Sequence, residues 1–86
     1  MKIKLDKGQY EYLKQHLSIE REDLFGLIGE SLNNRQMVFE ISEDVADEIR
    51  EWAADKLVIV GFDINYKLNE EGLILDQLID TFYSQG

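Results

Sequence analysis

Cysteine and proline are both missing from this chain of 86 residues. Without cysteine there is no disulfide scaffold, no Cys-based zinc site and no thiol nucleophile. The lack of proline, the strongest helix breaker, suits a chain made mainly of helices. Histidine occurs once, at His16, so a relay between two imidazoles is excluded. Long apolar runs are lacking too: the longest is LVIV, Leu57 to Val60, far short of a membrane span. The N-terminal stretch MKIKLDKG turns polar within six residues, so no secretory h-region is expected and the expected location is cytoplasmic.

The hydrophobic content of 44% with 10% aromatics belongs to a folded chain rather than a disordered one, and the length fits a single domain over 1–86. Basic residues are scarce in one part of the chain. Residues 1–35 hold six Lys/Arg against six Asp/Glu, whereas residues 36–86 hold three against twelve, so the second part carries the whole net charge of −9. Such a surface repels phosphate backbones and disfavours nucleic acid as a partner. It attracts basic proteins and speeds their encounter, although acidity also serves plain solubility.

Local signals give an α+β fold, mostly helical, with about four helices and a small two-stranded sheet in β-α-α-β-α-α order. Ile3 to Leu5 reads as a strand. Asp6 caps the helix after it, with Gln9 completing a capping box and Leu5 and Tyr10 placed as a staple. Tyr10, Leu13 and Leu17 form its apolar stripe. A second helix is expected from about Ile19 to Leu32, capped by Ser18, with Leu24, Phe25, Ile28 and Leu32 inward and Asn33-Asn34 ending it. Gly26 and Gly29 weaken that helix by about 1 kcal/mol each unless they serve close packing. Gln36 to Ile41 reads as the second strand, with pairing direction open.

Ser42 then caps a third helix running to about Val60, with Glu43 and Asp44 in its first turn, where the dipole favours negative charge. At about 100° per residue, Glu43, Asp44, Asp47, Glu48, Glu51 and Asp55 fall within an arc of about 140°. Val45, Ile49, Trp52, Ala53 and Val60 fall on the opposite side. Leu57 to Val60 reads equally as the end of this helix or the start of a strand. The last helix is expected over about Glu70 to Tyr83, with Ile74, Leu75, Leu78, Ile79, Phe82 and Tyr83 on one face.

No phosphate-binding glycine motif occurs, and His16 at the edge of the first helix reads as an exposed or capping side chain. Nothing marks out a hydrolytic carboxylate pair, so no catalytic residue and no cofactor are assigned. The segment GFDINYKLNEEG, Gly61 to Gly72, has the look of a calcium loop. From Asp63 an EF-hand would need ligands or glycine where Lys67, Leu68 and Ile74 stand, so no metal site is assigned. A connector accounts for it better: Gly61 stops one helix, Asn69 caps the next, and Leu68 and Leu73 are placed as a staple. Phe62, Ile64, Tyr66 and Leu68 are expected to anchor it to the core.

Two resemblances follow from specific residues. Glu30-Ser31-Leu32 and EISEDVADEI resemble parts of acyl carrier proteins, in which an Asp-Ser-Leu serine bears phosphopantetheine. Here glutamate replaces aspartate, Ser31 falls at a helix end, and Asn33 to Phe39 is too short for the family's intervening helix. Over GFDINYKLNEEGLILDQLIDTFY, Gly61 to Tyr83, the chain resembles a group of small bacterial proteins, some of them immunity-type proteins that accompany secreted toxins. That resemblance covers about a quarter of the chain and implies a protein-binding role without a catalytic motif. The expected function is therefore a non-enzymatic bacterial protein-binding domain, an immunity protein or antitoxin masking a basic toxin surface. Its candidate partner-binding residues are Asp44, Asp47, Glu48, Glu51 and Asp55. The alternatives are a structural or housekeeping subunit, marked by an apolar exposed patch or an oligomer, and an acyl-carrier-like protein.

Overall fold

The computed structural model describes residues 2–28 and 37–84, and of Ser84 the backbone only. Over these residues the chain has a mostly helical α+β fold of four helices and one small antiparallel sheet, in β-α-α-β-α-α order. Strand β1 (Lys2–Leu5) pairs antiparallel with β2 (Met37–Glu40), in a register that sets Lys2 opposite Glu40 and Ile3 opposite Phe39. Alternation along β1 turns Ile3 and Leu5 inward and Lys2 and Lys4 outward, as a sheet with one solvated face requires.

Asp6 ends β1 by capping the next helix. Its carboxylate accepts from the Gln9 amide at 2.7 Å, while the Gln9 side chain accepts from the Asp6 amide at 3.0 Å, completing the capping box. Gln9 also donates to the Thr81 hydroxyl at 3.2 Å, which satisfies a buried amide and ties this corner to the last helix.

Three segments follow without a gap, Lys7–Tyr12, a π-helical Leu13–Leu17 and Ser18–Glu20, and together they are helix α1. The π segment widens the inward stripe. Leu13 and Leu17 are fully buried as the spacing predicts, but Tyr12 turns in beside them, while Tyr10 is half-buried with its ring stacked 5.4 Å from Phe39.

The expected start of the second helix at Ser18 is incorrect. Ser18 lies within α1, where its hydroxyl donates to the Lys14 carbonyl, and the break comes at Arg21 (φ −138°, ψ 69°). Helix α2 then runs Glu22–Ile28, with Asp23 in its first turn bonded to the Arg21 guanidinium. The bend lets Leu17 before it and Leu24 after it both reach full burial. Ile19, just before the break, is left exposed. Gly26 serves no close packing, since a methyl group there would meet nothing within 4 Å. Gly29, Leu32, Asn33, Asn34 and Gln36 lie outside the described residues, as does Ser31 of the carrier-like motif.

Helix α3 (Glu43–Val60) starts where Ser42 accepts from the Val45 amide at 3.2 Å, and it includes Leu57 to Val60, which settles the helix-or-strand alternative. Val45, Ala46, Ile49, Trp52 and Ala53 form its buried face. Helix α4 (Glu70–Ser84) lies against it in the largest interhelical interface, burying Leu75, Leu78 and Phe82. Burying each such side chain is worth about 1.5–3 kcal/mol. Tyr83 departs from the expected inward face: it is exposed, with the Arg50 guanidinium 5.0 Å over its ring.

The turn between α3 and α4 rests on two glycines. A Cβ on Gly72 would lie 2.9 Å from the Gly61 carbonyl carbon and closer still to its oxygen, so the two backbones touch where no side chain fits. Asn69 locks the same corner. It accepts from the Gly72 amide at 2.7 Å, and its side-chain amide donates to the Val60 carbonyl at 2.7 Å.

Candidate functional site

The acidic arc of α3 faces solvent along the helix. Asp44, Asp47, Glu48, Glu51 and Asp55 are all exposed, on the side opposite the core. The structure divides them. Glu48, Glu51 and Asp55 line an open groove of about 390 Å³, together with Glu20, Arg21, Trp52, Lys56, Ile59 and Val60. Asp44 lies a turn before the groove. Asp47 is taken up by an ion pair with Arg50 at 2.9 Å.

One wall of the groove belongs to α3 and the other to the end of α1 and the Arg21 bend. Glu20 holds the two together: it accepts from Lys56 at 2.6 Å and from the Trp52 indole at 3.3 Å. The Lys56 hydrogen bond holds the Glu20 carboxyl below the usual glutamate range, against a smaller opposing effect of desolvation. Lys56 also stands 5.9 Å over the Trp52 ring. Arg21 is committed to Asp23 at 3.1 Å, a hydrogen bond that raises the arginine and lowers the aspartate from their ordinary values. Both cations of the groove are thus engaged. Glu48, Glu51 and Asp55 make no ion pair among the described residues.

Behind the groove Trp52 packs against Tyr12, with ring centroids 6.3 Å apart, and Tyr12 against His16 at 4.3 Å. The Tyr12 hydroxyl donates to Glu71 at 2.6 Å. Burial first, and then the Glu71 carboxylate, push that hydroxyl well above the ordinary tyrosine range. These contacts brace the wall. The single imidazole is spent on packing, and no group of His, Asp or Glu among the described residues is arranged to hold a metal ion.

The connector GFDINYKLNEEG corrects one expectation. Phe62, Ile64, Tyr66 and Leu68 do not anchor it to the core; all four are exposed, Ile64 and Tyr66 at 92% and 88%. The loop holds itself instead. Phe62 and Leu68 form an isolated antiparallel bridge, and the Asp63 carboxylate accepts from the amides of Asn65 (2.8 Å) and Lys67 (3.0 Å). Its tip is Tyr66, a non-glycine residue in the left-handed region (φ 60°).

The connector therefore adds to an apolar end of the molecule. Seven of the ten large apolar side chains exposed among the described residues lie between Val58 and Leu73: Val58, Ile59, Phe62, Ile64, Tyr66, Leu68 and Leu73. That is concentration rather than scatter. Ile59 belongs both to this end and to the acidic groove, so the two surfaces meet at the last turn of α3.

Sequence reasoning missed Glu20, Arg21, Trp52 and Lys56 as groove residues. Trp52 sits only about 40° from Glu48 around the helix, so a helical projection shows it at the edge of the acidic arc. Glu20 and Arg21 come from another helix, and no local signal places them there. Comparison with protein-family models, curated proteins and solved structures returned no match. No helix among the described residues is long and apolar enough to cross a membrane.

Proposed function

We propose that this chain is a non-enzymatic bacterial protein-binding domain, of the immunity-protein or antitoxin kind, whose acidic α3 face receives a basic protein surface. The observation that carries the reading is the division of charges in the groove. Among the described residues Glu48, Glu51 and Asp55 make no ion pair, while Arg21 and Lys56 are bound to other carboxylates. A basic partner would supply the missing counter-charges and be steered by them, a term that typically changes association rates by about tenfold or more. The resemblance of the Gly61 to Tyr83 segment to immunity-type proteins points the same way.

Affinity capture from the native organism tests it, with wild type and the variant Glu48→Lys/Glu51→Lys/Asp55→Lys as parallel baits. A basic protein held by wild type and lost by the variant, with an association rate that falls as salt rises, is the expected result. Equal recovery by both baits refutes the reading. A second reading, a subunit of a larger assembly, is favoured by the apolar end between Val58 and Leu73. It predicts capture that is indifferent to the three charge reversals.

A further inference from the structure

The exposed face of α3 changes character along its length. Asp44, Glu48, Glu51 and Asp55 occupy its earlier turns, and Ile59 follows on the same side at the last turn. From Asp44 to Ile59 this stripe spans about 22 Å at the helical rise per residue. Two residues after Ile59 the helix gives way to the connector, where Ile64 and Tyr66 are almost wholly exposed. Tyr66 is held there in a left-handed conformation that asparagine or glycine would adopt at less cost. A large aromatic in a turn whose backbone is held by the bond from the Tyr66 amide to the Asp63 carbonyl, contributing nothing to the core, is suited to anchoring a partner.

We infer that the acidic stripe of α3 and the apolar end at Ile59, Ile64 and Tyr66 form one docking surface for a cationic segment bearing an apolar anchor. This rests on the reading of α3 as the partner-binding face and specifies the chemistry of the partner. The charges select the occupant. A second copy of this chain would bring another net −9 against the same acidic groove, and an anionic lipid surface would be repelled likewise. A segment with Lys or Arg along one side and large apolar side chains in one terminal turn satisfies both halves of the surface.

The test uses two alanine-based helical peptides of about 15 residues, long enough to follow the stripe. Both carry the same lysines; one ends in a Trp-Leu turn, made at either terminus in separate syntheses, and the other ends in alanine. Binding is read by fluorescence anisotropy at physiological salt. The anchored peptide is expected to bind at least tenfold more tightly than its alanine-ended counterpart. Ile64→Ser/Tyr66→Asn should abolish that advantage while leaving the weaker peptide unaffected, and Glu51→Lys/Asp55→Lys should weaken both. The loop variant keeps its fold, because the connector is held by Asp63 and by backbone bonds, and circular dichroism verifies this. An anchored peptide with no advantage, or one whose advantage survives the loop variant, overturns the proposal. The charge reading then still stands if Glu51→Lys/Asp55→Lys weakens both peptides. Charge reversals without effect overturn that reading and the cationic half of the partner with it. A wild-type dimer in sedimentation that the loop variant dissociates, or loop-dependent binding to phosphatidylcholine vesicles, assigns the apolar end to another occupant and overturns the proposal too.

Discussion

The same glycine-to-alanine change in two helices of this protein should shift stability in opposite directions. Gly26 lies within α2, and a methyl group there meets nothing within 4 Å. Gly26→Ala therefore gains helix propensity alone, about 0.5–1 kcal/mol. For a domain of this size that raises Tm by roughly 2–8 °C, taking about 4–8 °C per kcal/mol. Gly72 also lies in a helix, as the third residue of α4, and its alanine would gain at most the same propensity. Its methyl group, however, would lie 2.9 Å from the Gly61 carbonyl carbon and 3.0 Å from the Gly61 Cα. Those atoms are backbone and cannot rotate away. Relief requires the end of α3 and the start of α4 to separate, which stretches the bonds from Asn69 to the Val60 and Gly61 carbonyls and loosens the packing of Leu75 behind them. Overpacking against backbone that cannot yield falls at the upper end of the usual range, about 3 kcal/mol, of which propensity recovers at most about 1. That loss is large against a total stability of about 4–13 kcal/mol expected for this length. Urea and thermal unfolding followed by far-ultraviolet circular dichroism give both values. A Gly72→Ala protein as stable as wild type, or a destabilised Gly26→Ala, would refute the reasoning.

Two further outcomes concern titrating groups. Because folding raises the Tyr12 hydroxyl above its unfolded value, its contribution is intact below the ordinary tyrosine range and is lost as pH climbs above it. Tyr12→Phe should cost about 1.5–3 kcal/mol at neutral pH, as it removes the donor to a carboxylate. In alkaline titration the phenolate absorbance that this substitution removes should develop only as the wild type unfolds; its appearance in the folded protein counts against the assignment. Glu20 works in the opposite sense: folding lowers its carboxyl, so its stabilisation is present above the ordinary glutamate range and disappears as pH falls through its folded value. Glu20 is exposed, so Lys56→Met should cost no more than about 1 kcal/mol at neutral pH and progressively less in acid or high salt. Urea midpoints that differ equally from about pH 7 to about pH 3 would show that the lysine acts through packing instead.

Capping and periodicity made much of the fold legible. Asp6 with Gln9, Ser42 and Asn69 each mark a helix start by side-chain chemistry that operates within a few residues, and all three act as expected. The stripes of α3 and α4 follow from burial on one side of a helix, and Ile49, Leu75 and Leu78 are fully buried accordingly. The bend at Arg21 was not legible, because neither glycine nor proline forces it and Ser18 is the better local cap. The inward turn of Tyr12 depends on a π segment that the stripe of Tyr10, Leu13 and Leu17 does not announce. Of the candidate site, Glu48, Glu51 and Asp55 were visible as one face of one helix. Asp47 belonged to the same arc, yet Arg50 lies three residues along the helix and engages it.

By itself, the sequence determined the element order, three helix caps, the buried faces of α3 and α4 and the exposed acidic arc. All of these are set by neighbours within one or two turns. Only the tertiary structure decided that the arc becomes a groove, because Glu20 and Arg21 arrive from a different helix and Glu20 must meet Lys56 and Trp52 across space. It also decided the fate of the connector's apolar residues. Hydropathy suggested that Ile64 and Tyr66 anchor the connector to the core, but the loop closes on its own Asp63 carboxylate and the Phe62–Leu68 bridge and leaves both side chains exposed. They face solvent on the connector that follows α3, where the proposed partner's apolar anchor would dock.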